Sequence, residues 1–136
     1  MPTSASPAVR TFRDLVAWQR AYALGMQIYR VTRQLPDTER FGLVIQLRRA
    51  AVAVASNIAE GYGRGGRADY SRFLKLARGS LYEVDTQLMF CVDLAYVSRE
   101  DYAAAKQCLD ECERVLAGLI RAIDRSDAIA EGSQRT

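Results

Sequence analysis

A chain of 136 residues is the size of one domain and long enough to bury a core without disulfides or a structural metal. Its 49% hydrophobic and 26% charged residues and formal net charge of +3 are ordinary for a globular protein, and no apolar run approaches the roughly 18 residues of a membrane span. Histidine is absent, and with it go the commonest general base and the commonest transition-metal ligand, while no Gly-rich phosphate loop of the Walker or dinucleotide type is present. These exclusions point to a non-enzymatic protein with no cofactor and no metal.

In chain order, residues 1–11 are rich in Pro, Ser, Thr and Ala and read as a mobile tail; with no hydrophobic signal region in MPTSASPAVR, the chain is expected to be cytoplasmic. The bundle is expected over 12–126. Helix one should run from near Asp14 to about Gln34, with Leu15, Trp18, Tyr22, Met26 and Tyr29 as its apolar stripe and Phe12 packed back over its start. Pro36 ends that segment. Helix two should follow directly, capped by Asp37 or Thr38, and stop at the glycines after Glu60. At about 100° per residue, Leu43, Leu47, Ala50, Ala51, Val54 and Ile58 form its core face, and Gln46, Arg49, Ala53, Ser56, Asn57 and Glu60 form a polar stripe on another.

Beyond the Gly61–Gly66 joint, helix three is predicted from about Arg67 to Ala95, burying Tyr70, Phe73, Leu74, Ala77, Leu81, Val84, Leu88, Cys91 and Ala95. Ser98 should cap helix four, with Asp101 three residues on, and Tyr102, Ala105, Leu109, Cys112, Leu116, Leu119 and Ile123 lie at core spacing. Residues 127–136 lose apolar periodicity and read as a second mobile tail. Period-two β-branched runs are absent. The fold class is therefore all-α: an antiparallel up-down-up-down four-helix bundle with short joints. Cys91, Cys108 and Cys112 are odd in number and read as small core residues, although Cys108 and Cys112 share a helical face that metal ligands can use.

Ile45 and Val52 on helix two, and Leu76, Tyr82, Met89 and Phe90 on helix three, fall away from the core stripes and are candidate oligomer-interface residues. Charge is segregated. Glu39 to Arg78 carries eight basic and three acidic residues, and Gly79 to Glu113 two basic and eight acidic. Arg48, Arg64, Arg67, Arg72, Lys75 and Arg78 are the candidate nucleic-acid-binding residues, five of them around the Gly-rich joint. The alternative is that the basic block pairs with an acidic block on a neighbouring helix or subunit. Tyr62 and Tyr70 stand nearby and can either stack on bases or pack. Gln46, Arg49, Asn57 and Glu60 suit a structural polar network or subunit contact better than a ligand pocket.

The segments FRDLVAWQRA (12–21), LPDTERFGLVIQLRRAAVAVASNIAEGYGR (35–64) and FLKLARGSLYEVDTQL (73–88) resemble the four-helix-bundle proteins encoded by intervening sequences in bacterial 23S ribosomal RNA genes. Related to these is the accessory variability protein of diversity-generating retroelements, a homopentameric barrel that binds nucleic acid and the element's reverse transcriptase. The resemblance implies a homopentamer with RNA, DNA or a reverse transcriptase as partner. Where many relatives have Ser and Pro before the Asn, this chain has Val54 and Ala55, so helix two is expected to be uninterrupted. The expected function is that of a self-assembling accessory protein presenting a basic surface to nucleic acid or a nucleic-acid enzyme. The alternatives are a homo-oligomeric protein-binding scaffold, and an enzyme using carboxylates and tyrosines at a subunit junction.

Overall fold

The computed structural model describes residues 8–135, with side chains for 8–125. Residues 1–7 of the expected N-terminal tail, and Thr136, lie outside the described residues. Four α-helices are present among the described residues: α1 (Val16–Thr32), α2 (Leu43–Gly63), α3 (Arg67–Asp93) and α4 (Arg99–Arg135). Each packs on its chain neighbours and α4 closes back on α1, which gives the square of an up-down-up-down bundle. Helical backbone in α4 continues past residue 126 to Arg135.

α1 is introduced by a 3-10 turn, Phe12–Asp14, held by a capping box in which Thr11 Oγ1 accepts from the Arg13 N–H and Asp14 accepts from the Thr11 N–H. Phe12 packs edge-on against Trp18, 5.2 Å between centroids, as expected. The core stripe of α1 is not the one expected. Ala17, Ala21, Leu24, Ile28 and Val31 are buried, whereas Tyr22, Met26 and Tyr29 are exposed and Leu15 and Trp18 only partly buried. α1 carries two apolar stripes, and the one with small residues turns inward because it lets the neighbouring helices approach.

The start of α2 also differs. Asp37–Glu39 forms a separate 3-10 turn, and α2 begins six residues later at Leu43. Neither Asp37 nor Thr38 caps it; Glu39 Oε1 accepts from the Leu43 N–H at 3.2 Å. From there α2 runs unbroken through Ala55 and Ser56, with Leu47, Ala50, Ala51, Val54 and Ile58 buried as its core face. α3 buries Leu74, Ala77, Leu81, Val84, Leu88 and Cys91, with Tyr70 partly buried beside them; Phe73, expected in this stripe, is only half-buried because its ring turns outward under Arg64 and Arg72.

Ala95 is exposed and lies outside α3, in the left-handed region at φ 60°. The Tyr96 N–H reaches Cys91 O at 2.9 Å and the Ala95 N–H reaches Val92 O at 3.0 Å, so Ala95 occupies the position that glycine favours at a helix end. Ser98 caps α4, its Oγ accepting from the Asp101 N–H at 3.1 Å. Ala105, Leu109, Cys112, Leu116 and Ile120 complete the core, with Tyr102, Leu119 and Ile123 against it. Burial pushes the Cys112 thiol up to about 12 and the Cys91 thiol up to about 11, with smaller contributions from Cys108 and Glu113 on the first and Glu39 on the second. Both thiols stay protonated, the state of inert core cysteines.

Candidate nucleic-acid interface

The antiparallel arrangement brings four chain segments to one end of the bundle: the turn before α1, the end of α2, the start of α3 and residues 121–125 of α4. Gly65, at φ 84°, lets the α2–α3 joint turn within three residues, and the Arg64 N–H closes it onto Gly61 O at 3.2 Å. The joint is pressed against the bundle. A Cβ on Gly61 would lie 2.8 Å from Phe73 Cβ and 3.3 Å from Tyr70 O, so only glycine fits.

Around this joint lie Arg64, Arg67 and Arg72, with Lys75 and Arg78 following about 12 and 16 Å further along α3 at 1.5 Å per residue. Arg64 and Arg72 both lie over the Phe73 ring, 5.2 and 4.6 Å from its centroid. Both also meet Asp69, at 3.5 and 3.3 Å, and Arg64 meets Glu60 at 3.5 Å. Lys75 pairs with Asp124 at 3.2 Å, and Ser71 Oγ donates to the same carboxylate at 2.5 Å. Ser71, then Lys75 and Arg78, hold the Asp124 carboxyl below the usual carboxylate range. Arg67 has no ion pair among the described residues and lies beside Tyr62 and Tyr70, whose rings meet edge-on at 6.2 Å around a shallow hollow floored by Gly61 and Ile123. Burial, reinforced by Tyr62, raises the Tyr70 hydroxyl pKa.

Arg48 is not part of this group. It lies sixteen residues before Arg64 on the same helix, about 24 Å away at 1.5 Å per residue. Its Nε donates to Thr32 Oγ1 at 2.8 Å and its guanidinium covers the Tyr29 ring at 4.6 Å, so it clasps α1 to α2. Sequence reading missed Arg121 and Arg125, which lie within one turn of Asp124 and are exposed at the same end. An antiparallel bundle sets the end of helix four beside the start of helix three, and that was the available signal.

The polar stripe of α2 does not close into a network within the chain. Among the described residues no hydrogen bond joins any two of Gln46, Arg49, Asn57 and Glu60. Gln46 Oε1 accepts from Gln87 Nε2 at 3.4 Å, Asn57 donates to Ala53 O at 2.9 Å, and Arg49 lines an open cleft between α2 and α3 with Ser80 and Glu83. The six apolar candidates, Ile45, Val52, Leu76, Tyr82, Met89 and Phe90, are all exposed. Asp14, like Asp124, has its pKa lowered, here by the backbone N–H groups of Arg10 and Thr11. Lowered values belong to capped and paired carboxylates rather than to proton donors. Among the described residues no three His, Cys, Asp or Glu side chains gather as a metal site, and no helix is long and apolar enough to cross a membrane.

The fold and this surface define an all-α antiparallel bundle whose polar chemistry lies on its outside and concentrates as positive charge at one end. Residues 13–118 match the model of the 23S rRNA-intervening sequence protein, and the chain belongs to that family. A solved structure of a protein of unknown function from the S23 ribosomal protein family of Bacteroides thetaiotaomicron VPI-5482 has the same fold, with a TM-score of 0.72 and 22% identity over 77% of this chain and 98% of that one. No curated protein matches the chain.

Proposed function

We propose that the protein is a non-enzymatic, self-assembling accessory factor of the cytoplasm, a homopentamer whose basic end binds RNA or DNA, alone or together with a nucleic-acid enzyme such as a reverse transcriptase. The observation that carries this reading is the convergence of Arg64, Arg67, Arg72, Lys75 and Arg78 with Arg121 and Arg125 at one end, next to Tyr62 and Tyr70. Cations that track a phosphate backbone beside aromatic rings that can stack are the two parts of single-strand recognition. A ring of copies multiplies that field.

The test is fluorescence anisotropy with labelled single-stranded and structured RNA and DNA over a salt series. Affinity should fall steeply with salt, and reversing Arg64, Arg67 and Lys75 together to Glu should weaken binding by about tenfold or more and flatten the salt slope. Salt-independent or undetectable binding would sink the nucleic-acid half. One observation favours the second reading, a protein-binding scaffold: Arg64, Arg72 and Lys75 are already paired with carboxylates on the bundle. In that case an assembled protein would remain indifferent to RNA and DNA at every salt concentration.

A further inference from the structure

The exposed stripe of α1 and the facing side of α2 enclose an open groove of about 350 Å³. Its floor is made of small residues, Gly25, Ala55 and Ala59, and its walls of Trp18, Tyr22 and Val52. Such a floor lets another helix backbone approach closely while aromatic walls grip its side chains. The rims are positive. Arg13 lies over the Phe12 ring at one end and Arg48 over the Tyr29 ring at the other, 4.7 and 4.6 Å from the centroids.

The chain carries a matching surface that cannot reach its own groove. The outward side of α3 exposes Leu76, Tyr82, Met89 and Phe90, and among them Glu83 and Asp93 are exposed without an ion pair among the described residues. α3 is diagonal to α1 in the square, so this face points away from the groove. We propose that the outward face of α3 in one copy docks in the α1–α2 groove of the next, its apolar side chains between the aromatic walls and its carboxylates toward the rim arginines. Donor and acceptor are different surfaces of one chain, so the contact is head-to-tail and builds a ring where its rotation closes, rather than a two-fold dimer. The docking rests on the assembly reading above and names the surfaces that carry it.

Two variants test it. Gly25→Phe fills the groove from a position where an added Cβ meets nothing within 4 Å in the isolated chain; Phe90→Asp puts a charge on the α3 face at a residue 57% exposed. By light scattering each variant alone should fall to the mass of a single 15.2 kDa chain with its helical circular dichroism intact. Mixed, they should form a one-to-one dimer and stop, because one copy still offers an α3 face and the other a groove. If Gly25→Phe does not fold, Val52→Lys at the half-exposed groove wall replaces it. Variants as fully assembled as the wild type would overturn the pairing and leave assembly standing. Variants that dissociate but never combine would overturn the head-to-tail contact, and a wild type that is monomeric at every concentration would overturn both the docking and the assembly it rests on.

Discussion

The two seams of α2 are built on opposite principles. Toward α3 the seam is closed at its Gly61 end, where Phe73 and Tyr70 occupy the space a side chain would take. Toward α1 the seam is open on its outer side, where Gly25 faces empty space and a groove runs between aromatic walls. One glycine is fixed by what touches it inside the chain, whereas the other has no such reason. A glycine in mid-helix is destabilising by about 0.5–1 kcal/mol relative to alanine, so at Gly25 the chain carries a cost that its own fold does not require. Stability inside the monomer belongs to the closed seam, and availability to others belongs to the open one.

The largest expected effect lies beneath both seams. Ile58→Ala empties a fully buried site on the core face of α2 and should lower unfolding free energy by about 2–5 kcal/mol in urea titration; a loss below about 1 kcal/mol would mean the seams themselves hold the helix. Gly61→Ala comes next. Forcing a methyl against Phe73 Cβ should cost about 1–3 kcal/mol and lower the melting temperature. Gly25→Ala, made in the Phe90→Asp background expected to be monomeric, should do the reverse, raising stability by about 0.5–1 kcal/mol in the same titration, since within one chain it gains helix propensity and its Cβ meets nothing. Equal signs for the two glycine variants would erase the contrast between the seams.

The smallest effect concerns the α3–α4 contact beside the basic end. Ser71 and Lys75 lower the Asp124 pKa in the folded state, so the stability this carboxylate contributes is complete above the unfolded carboxylate value of about 4 and is lost as pH falls through the folded value. Urea midpoints measured from about pH 6 down to about pH 2.5 should fall less steeply in Ser71→Ala than in the wild type below about pH 4. Parallel curves would remove Asp124 from the acid response.

The number of helices, their order and the core stripes of α2, α3 and α4 were legible because hydrophobic spacing there admits one inward face. α1 was ambiguous: Trp18, Tyr22, Met26 and Tyr29 form a larger apolar stripe than Ala17, Ala21, Leu24 and Ile28, and only the approach of α2 and α4 decides which is buried. The α2 start was misplaced because Pro36 does end one element, yet Glu39 caps α2 by bonding four residues ahead instead of at the first available position. Ala95 looked like core because its spacing continues the α3 stripe; the left-handed turn that removes it is a backbone property that an alanine does not announce. At the basic end, Arg64 to Arg78 were visible as neighbours in sequence. Arg48, the sixth candidate, lies apart from them against Thr32 and Tyr29, and Arg121 and Arg125 share their end of the bundle although they are distant in sequence.

At the opposite end of the bundle, one side chain joins two joints that are far apart in the chain. Glu39 caps α2 with Oε1 and accepts the Tyr96 hydroxyl on Oε2 at 3.1 Å, bridging the α1–α2 and α3–α4 joints across 57 residues. Each helical hairpin can form locally, but this bridge exists only once the two hairpins have docked. A contact completed that late adds little to the speed of folding and acts mainly on the way out, slowing the separation of the hairpins. Tyr96→Phe, which removes the bridge and leaves the α2 cap, should therefore raise the unfolding rate more than it lowers the refolding rate, as expected of a latch on the lifetime of the native bundle.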